Sequence, residues 1–465
     1  MTKANSQFFK FEKNILRNFK GAKRHTIAVC KAIINRKRYS RFLRILGPGL
    51  VTGAADDDPS GIATYSQAGA STGLGLLWIF PVMYPLLLGV QETCARIGAI
   101  TGKGLAAVIK ENYSKKLLYI SVFLVVVANT VNIGADLGAM AAATQLFFDI
   151  PFAVLASGYA VIVVVLIIFV EYKKYAKILK WLALALLAYP VTAFLVGQDW
   201  GHVIATTFAF PGQLDSSMIY IIVGILGTTI SPYLFFWDTS EVVEEEIKKH
   251  SVVKIGTVEK ATKRFLRNLR LDNFVGMTLA SVTAWFIVVA CAATLFSHGI
   301  VNINSAADAA KALEPLVQGF PNAGFVAKII FSIGIIGLGL LAVPVLAGSS
   351  SYALSEVFGW KEGLYRKFRK AKAFYLVIIG ATLIGLLINF VGIDPIKALV
   401  FAAVFNGIAA IPLLLMVGKI GNNKAIMGEY KNKLLSNTLI RLTFIVMLVA
   451  VLILFWSMIQ GFLKL

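Results

Sequence analysis

Three cysteines and four histidines are all that this 465-residue chain holds of the side chains that most often ligate metals or cross-link a fold. Cys30, Cys94 and Cys291 show no paired spacing, so neither a disulfide framework nor a zinc centre is expected. His25, His202, His250 and His298 are scattered and fall at or near the ends of apolar runs, which leaves no histidine for chemistry inside them. Acids are scarce as well, 24 against 45 Lys and Arg, giving a formal net charge of +21. No compact apolar core ending in small residues precedes the first long apolar run, so no cleavable signal is expected.

Apolar surface is what the chain has in excess, at 58% of residues. A soluble core cannot use that much. Runs of about 20 apolar residues, enough to cross ~30 Å of hydrocarbon, recur from Leu50 onward. They are solid rather than alternating with a period of two, which excludes an outer-membrane barrel. The expected class is an all-α polytopic membrane protein. Eleven spans are expected, at 42–70, 75–99, 117–147, 152–170, 176–197, 217–240, 273–297, 326–355, 373–391, 395–418 and 440–462.

The connections support that count. Those at 100–116, 171–180, 241–270, 356–372 and 419–438 are rich in Lys and Arg. Those at 70–75, 148–151 and 198–216 have none, and 298–325 has only Lys311. Basic connections thus occur every second time, as the positive-inside rule requires. The expected placement is a cell membrane, multi-pass, with the N-terminus cytoplasmic and the C-terminus outside. Residues 1–41 form a basic tail; "FFKFEKNILRNFKGAKR" is weakly amphipathic, and Glu12 is the only acid before residue 45. An anionic inner leaflet suits this tail, at about 1 kcal/mol per basic residue, and nucleic acid is not the expected partner.

Two spans carry helix breakers at mid-membrane depth. "GLVTGAADDDPSGIATYSQAG" places Asp56, Asp57, Asp58 and Pro59 about eleven residues past Ile45, roughly half a bilayer in. In the sixth span, Pro232 lies at a similar depth. A matched pair of interrupted spans in two five-span halves marks an inverted-repeat transporter. The transporter domain is then 42–463, with repeats at 42–197 and 217–418 and an extra helix at 440–462. Charges at the bilayer centre cost from about 2.5 kcal/mol upward, so three carboxylates there must face protein, water or a cation. Pro59 removes an amide donor and disfavours helix before it. The backbone from Ala55 to Asp58 should unwind and offer carbonyl oxygens beside the acids. The local alternative is that Asp58 is simply an N-cap ahead of a first-turn proline.

These residues resemble the Nramp family of divalent metal ion transporters. The family's first broken span carries Asp-Pro-Gly-Asn, and this chain has "DPSG" at Asp58–Gly61. "QETCARIGAITGKGLAAVIKENY", "GADLG", "GLLAVPVLAGSSSYALSE" and "NGIAAIPLLLM" are similar to its second-, third-, eighth- and tenth-span patterns. The likeness covers about residues 42–460. It implies a LeuT-like 5+5 fold plus one helix, with helices one and six broken at Pro59 and Pro232. It also implies alternating access and a metal site between spans one and six. By position, Asp58 matches the metal-binding aspartate, and Ala55 and Thr228 match backbone carbonyl donors.

The departures bear on the ion. Gly61 replaces an asparagine ligand, and the family's Met-Pro-His becomes Ser231-Pro232-Tyr233. A second histidine becomes Asp238, and a glutamate three residues after Asp136 becomes Ala139. The chain thus resembles a divergent, Nramp-related branch lacking the sixth-span methionine. Thioethers favour softer metals and oxygens favour hard ones. Asp58, Asp57 or Asp56, the Ser231 hydroxyl and backbone oxygens would suit a Mn²⁺, Fe²⁺ or Mg²⁺ type of cargo, and Gly61 would leave room for retained water. Divalent metal is expected as substrate, with no cofactor. Protons are a second expected partner, carried by Asp58, Asp136 and Asp238, with uniport the alternative because both histidines are gone.

Blander readings stand beside these. Asp136 would hydrogen-bond Asn132 or another helix, and Asp238 would be a cytoplasmic-end charge. "EVVEEE" from Glu241 would be a solvated helix end. Glu92 and Arg96 would pair at i,i+4. Asn406 and Thr229 would bridge helices, and Asp394-Pro395 would be an N-cap. Among rival functions, a LeuT-fold symporter of an organic solute or amino acid would present three aspartates to a carboxylate. An intramembrane hydrolase would need its adjacent acids to converge on one atom. A channel would not need broken, repeated helices.

Overall fold

The computed structural model describes residues 53, 55–170, 183–212, 214–248, 263–317 and 322–463. The basic tail, span one before residue 53, the start of span five and most of the connection at 249–262 lie outside the described residues. Within them every regular element is helical.

Among the described residues, eight helices are long and apolar enough to cross a membrane. They supply spans three (Lys115–Gln145), four (Phe152–Phe169), six, seven (Phe265–His298), eight (Ala323–Phe358), nine (Lys372–Val391), ten (Pro395–Asn422) and eleven (Leu434–Gln460). Span two is the 23-residue helix Ile79–Thr101, whose Glu92 and Arg96 lower its apolarity. Span five appears as a short apolar helix at Ala185–Leu195. Spans four and eleven are the least enclosed and span six the most. Span six therefore lies inside a ring of other helices.

Both expected breaks are present. Ala55 and Asp56 are helical, Asp57 bends, and Asp58 is extended (φ −65°, ψ 171°) before helix Pro59–Thr72 begins. Pro59 at the first helical position lacks only an N–H that would have no partner there. In span six, helix Ser216–Thr229 stops at Ile230 (φ −102°, ψ 56°), and helix Pro232–Lys248 restarts after Ser231. Asp394 caps span ten through Ile396 N and Lys397 N, as expected.

Packing follows the repeat. Helix Pro59–Thr72 lies on span seven, and its counterpart Pro232–Lys248 lies on span two. Without a hydrophobic drive between helices in lipid, small residues set these contacts. A Cβ on Gly69 would collide with the Val288 carbonyl, and one on Gly98 with the Thr239 carbonyl. Spans three, eight, nine and ten form a second packed group, in which Gly134 meets Gly385.

Candidate ion-binding site

Asp58 is the centre of the first break. Its Oδ1 accepts from Gly61 N at 2.8 Å and Ser60 Oγ at 2.6 Å, and its Oδ2 from Asn132 Nδ2 of span three at 2.9 Å. It is 1% exposed. The N-cap reading is therefore correct for one oxygen, while the other is held from a different helix. Such charge-assisted bonds contribute about 1.5–3 kcal/mol each.

The two breaks touch. Ser60 Oγ lies 3.3 Å from Thr228 Oγ1, and Tyr65 OH lies 2.7 Å from Thr229 Oγ1. Tyr233, where the resemblance expects histidine, donates its hydroxyl to the Ala55 carbonyl at 3.0 Å. Ser231 Oγ donates backward to the carbonyls of Gly227 and Thr228, at 2.9 and 2.5 Å. Every oxygen that the resemblance assigns to a cation at Asp58, Ala55 and Thr228 already has a hydroxyl or amide donor in this conformation.

Other acids have fewer partners. Asp56 and Asp57 are buried, each with an Oδ1 that no group hydrogen-bonds. Asp136 is wholly buried with neither oxygen hydrogen-bonded, and it lies in the field of Asp58. Asn132 is not its partner, since that amide is turned to Asp58. Among the described residues, no three His, Cys, Asp or Glu gather where they could hold a metal ion. An oxygen site around Asp58 would therefore draw on hydroxyls and carbonyls as well.

Several expectations need correction. Gly61 does not face free space: a Cβ would lie 3.3 Å from both Thr228 Oγ1 and Tyr65 Cε2, and 3.4 Å from the Asp56 carbonyl. Thr228, Tyr65 and the unwound turn close in from three sides. Asp238 is no surface charge, being completely buried and accepting from Asn273 Nδ2 of span seven at 3.2 Å. "EVVEEE" is not a solvated end either. Glu241 and Glu244 are buried, and Glu244 accepts from Tyr352 OH and from Leu364 N. Glu356 accepts from Ser240 Oγ and Ala107 N beside it. The chain after span eight folds over this end, and burial together with the charges of Glu356 and Glu244 pushes the loop residue Glu362 up to about 9. Asn406 is buried with neither amide atom hydrogen-bonded, so it bridges no helices among the described residues. The Glu92–Arg96 pair forms at 3.6 Å, with Arg270 also on Glu92 at 2.7 Å.

Sequence reading missed Ser60, Tyr65 and the lock of Tyr233 on Ala55. A signal existed for Tyr65, seven residues past Asp58 and so on the same helix face. None existed for Tyr233, whose partner is 178 residues away.

Known proteins resemble this chain along most of its length. The divalent metal cation transporter MntH of Aeromonas hydrophila is 25% identical over 398 residues, covering 84% of this chain and 90% of that one. The MntH of Ralstonia nicotianae is 25% identical over 436 residues, covering 91% and 93%. The Eremococcus coleocola manganese transporter shares the fold with a TM-score of 0.70 at 18% identity, over 91% of this chain and 88% of that one. MhsT, solved with L-phenylalanine, shares it at 0.58 and 14% identity, over 89% and 98%. The family model for natural resistance-associated macrophage protein-like proteins matches residues 49–457. This chain belongs to the Nramp family.

Proposed function

We propose that this protein moves divalent metal cations of the Mn²⁺, Fe²⁺ and Mg²⁺ type into the cytoplasm by alternating access. The relatives named MntH are divalent metal cation transporters, and a metal-transport role at family level fits the multi-pass, all-helical chain. The observation that carries the reading is Asp58 at the unwound turn, beside the Ala55 carbonyl and against the second break. The ligands would be Asp58, the Ala55 and Thr228 carbonyls, the Ser231 hydroxyl and Asp57, with Gly61 lining the turn. All are oxygens, which favours hard cations over soft ones.

Binding would exchange donors for metal. An arriving cation takes the place of the Ser60 hydroxyl on Asp58 and the Tyr233 hydroxyl on Ala55. Each broken bond offsets part of the gain, by about 0.5–3 kcal/mol. That exchange weakens the site and eases release, as turnover requires. Asp136 and Asp238 complete the proton reading. A cation entering the field of a protonated carboxylate favours its ionised form, which couples the two movements. The basic tail would lie on an anionic inner leaflet, with the N-terminus cytoplasmic and the C-terminus outside.

A proteoliposome panel of Mn²⁺, Fe²⁺, Mg²⁺ and Ca²⁺ with internal pH recorded tests the proposal. Saturable Mn²⁺ uptake, inhibited by excess Mg²⁺ and lost in Asp58→Ala, is expected. Cd²⁺ uptake indifferent to a large Mg²⁺ excess would overturn the hard-ion preference. Uptake of an organic solute with none of the metals would favour the symporter reading instead.

A further inference from the structure

The contact between Asp238 and Asn273 is half of a recognisable pattern. Asn273 Nδ2 donates to Asp238 Oδ2 at 3.2 Å, while Asp238 Oδ1 and Asn273 Oδ1 are both buried with no hydrogen bond. Asp238 is 0% and Asn273 1% exposed, so water does not reach them from bulk. Two buried acceptor oxygens on two groups already joined by one hydrogen bond are costly if left bare. A carboxylic acid supplies the one donor that an ionised carboxylate cannot. One proton on Oδ1, donated to Asn273 Oδ1, satisfies both oxygens and completes a two-point acid–amide pair.

We propose that Asp238 carries a proton in this conformation and that its pairing with Asn273 clamps the inner half of span six onto span seven. The proposal rests on the transport reading and gives it a moving part. The clamped element is the half-helix Pro232–Lys248 that begins at the second break. Loss of the proton leaves a carboxylate against an amide oxygen, and the seam loosens.

The surroundings fit a neutral Asp238. Asp272 faces it from span seven, itself 2% exposed. From span two, the Cys94 thiol lies in its field, while Arg96 is committed to Glu92 at 3.6 Å and Asn432 at 2.5 Å. On its own helix Glu241 is buried one turn on, and the Thr239 hydroxyl is used on the Phe235 and Cys94 carbonyls. From span eight, Tyr352 and Glu356 meet Glu244 and Ser240 instead.

Cys94 is a built-in reporter: it is 0% exposed on span two, and its carbonyl accepts from Thr239, next to Asp238. The test uses the full chain with Cys30→Ser and Cys291→Ser in metal-free proteoliposomes. Labelling of Cys94 by a membrane-permeant maleimide is followed from pH 5 to 8. The rate is divided by that of Asp238→Asn, whose amide keeps the two-point pair at every pH and whose own profile takes up most of the ordinary thiolate dependence. The expected ratio climbs with pH, by at most about tenfold per unit for one proton. A flat ratio overturns the proposal. Asn273→Leu removes the acceptor, so labelling faster than wild type at pH 5 is expected, and a rate equal to wild type from pH 5 to 8 overturns the proposal even if Asp238→Asn does not fold. No metal enters this measurement, so failed uptake would count against the transport reading alone.

Discussion

The two breaks are made by the same residue and closed in different ways. At the first, Asp58 draws donors from its own turn, from Ser60 and from Asn132 of span three, and the loose Ala55 carbonyl is met by Tyr233 of span six. At the second, Ser231 turns back onto Gly227 and Thr228 and satisfies that break from within. The first break depends on neighbours that can be displaced, while the second carries its own cap. On the proposed function, responsiveness to an ion would reside in the first break, with the second as a preformed wall against it.

The sharpest way to break that contrast is to remove the acid. Asp58→Ala takes away the charge and leaves the Asn132 amide and Ser60 hydroxyl without their acceptor. Metal uptake should fall at least about a hundredfold, since loss of a charge-assisted ligand costs roughly 3 kcal/mol or more. Isothermal titration with Mn²⁺ should detect no binding. Retained binding would move the ion to Asp56, Asp57 or Asp136. A smaller effect is expected at Gly61. Gly61→Ala meets Thr228 Oγ1 and Tyr65 at 3.3 Å, a contact that must give by a few tenths of an ångström. Uptake should drop several-fold with KM raised more than kcat is lowered. Unchanged KM would mean the turn has space that this conformation hides.

What the sequence made legible was the part governed by local chemistry. Apolar runs gave the spans that the described residues hold, and Pro59 and Pro232 gave both breaks within a residue. Asp394 announced its cap. What stayed hidden depends on which helix lies opposite. "EVVEEE" has the composition of a wetted helix end, yet the fold lays Tyr352 and the Leu364 amide over it. Gly61 suggested space because a glycine's surroundings cannot be read from the glycine. Asp136 looked bound to Asn132, one turn away on the same helix, but Asp58 competes for that amide from across the site. Acids were located correctly along the chain, while their partners required the tertiary structure.

Tyr233 offers a finer test, opposite in sign. Its hydroxyl occupies the Ala55 carbonyl, so a cation must compete with it. Tyr233→Phe frees the carbonyl and removes about 0.5–1.5 kcal/mol of competition, so Mn²⁺ should bind about two- to tenfold more tightly, with slower release and a lower kcat. Ser231→Ala should do less. It frees the Thr228 carbonyl too, but that carbonyl belongs to the break that caps itself, and loss of the cap costs local order of similar size. Affinity should stay within about threefold of wild type, while the thermal midpoint falls by a few degrees. A larger gain in Ser231→Ala than in Tyr233→Phe would reverse the assignment, making the second break the yielding side and the first the wall.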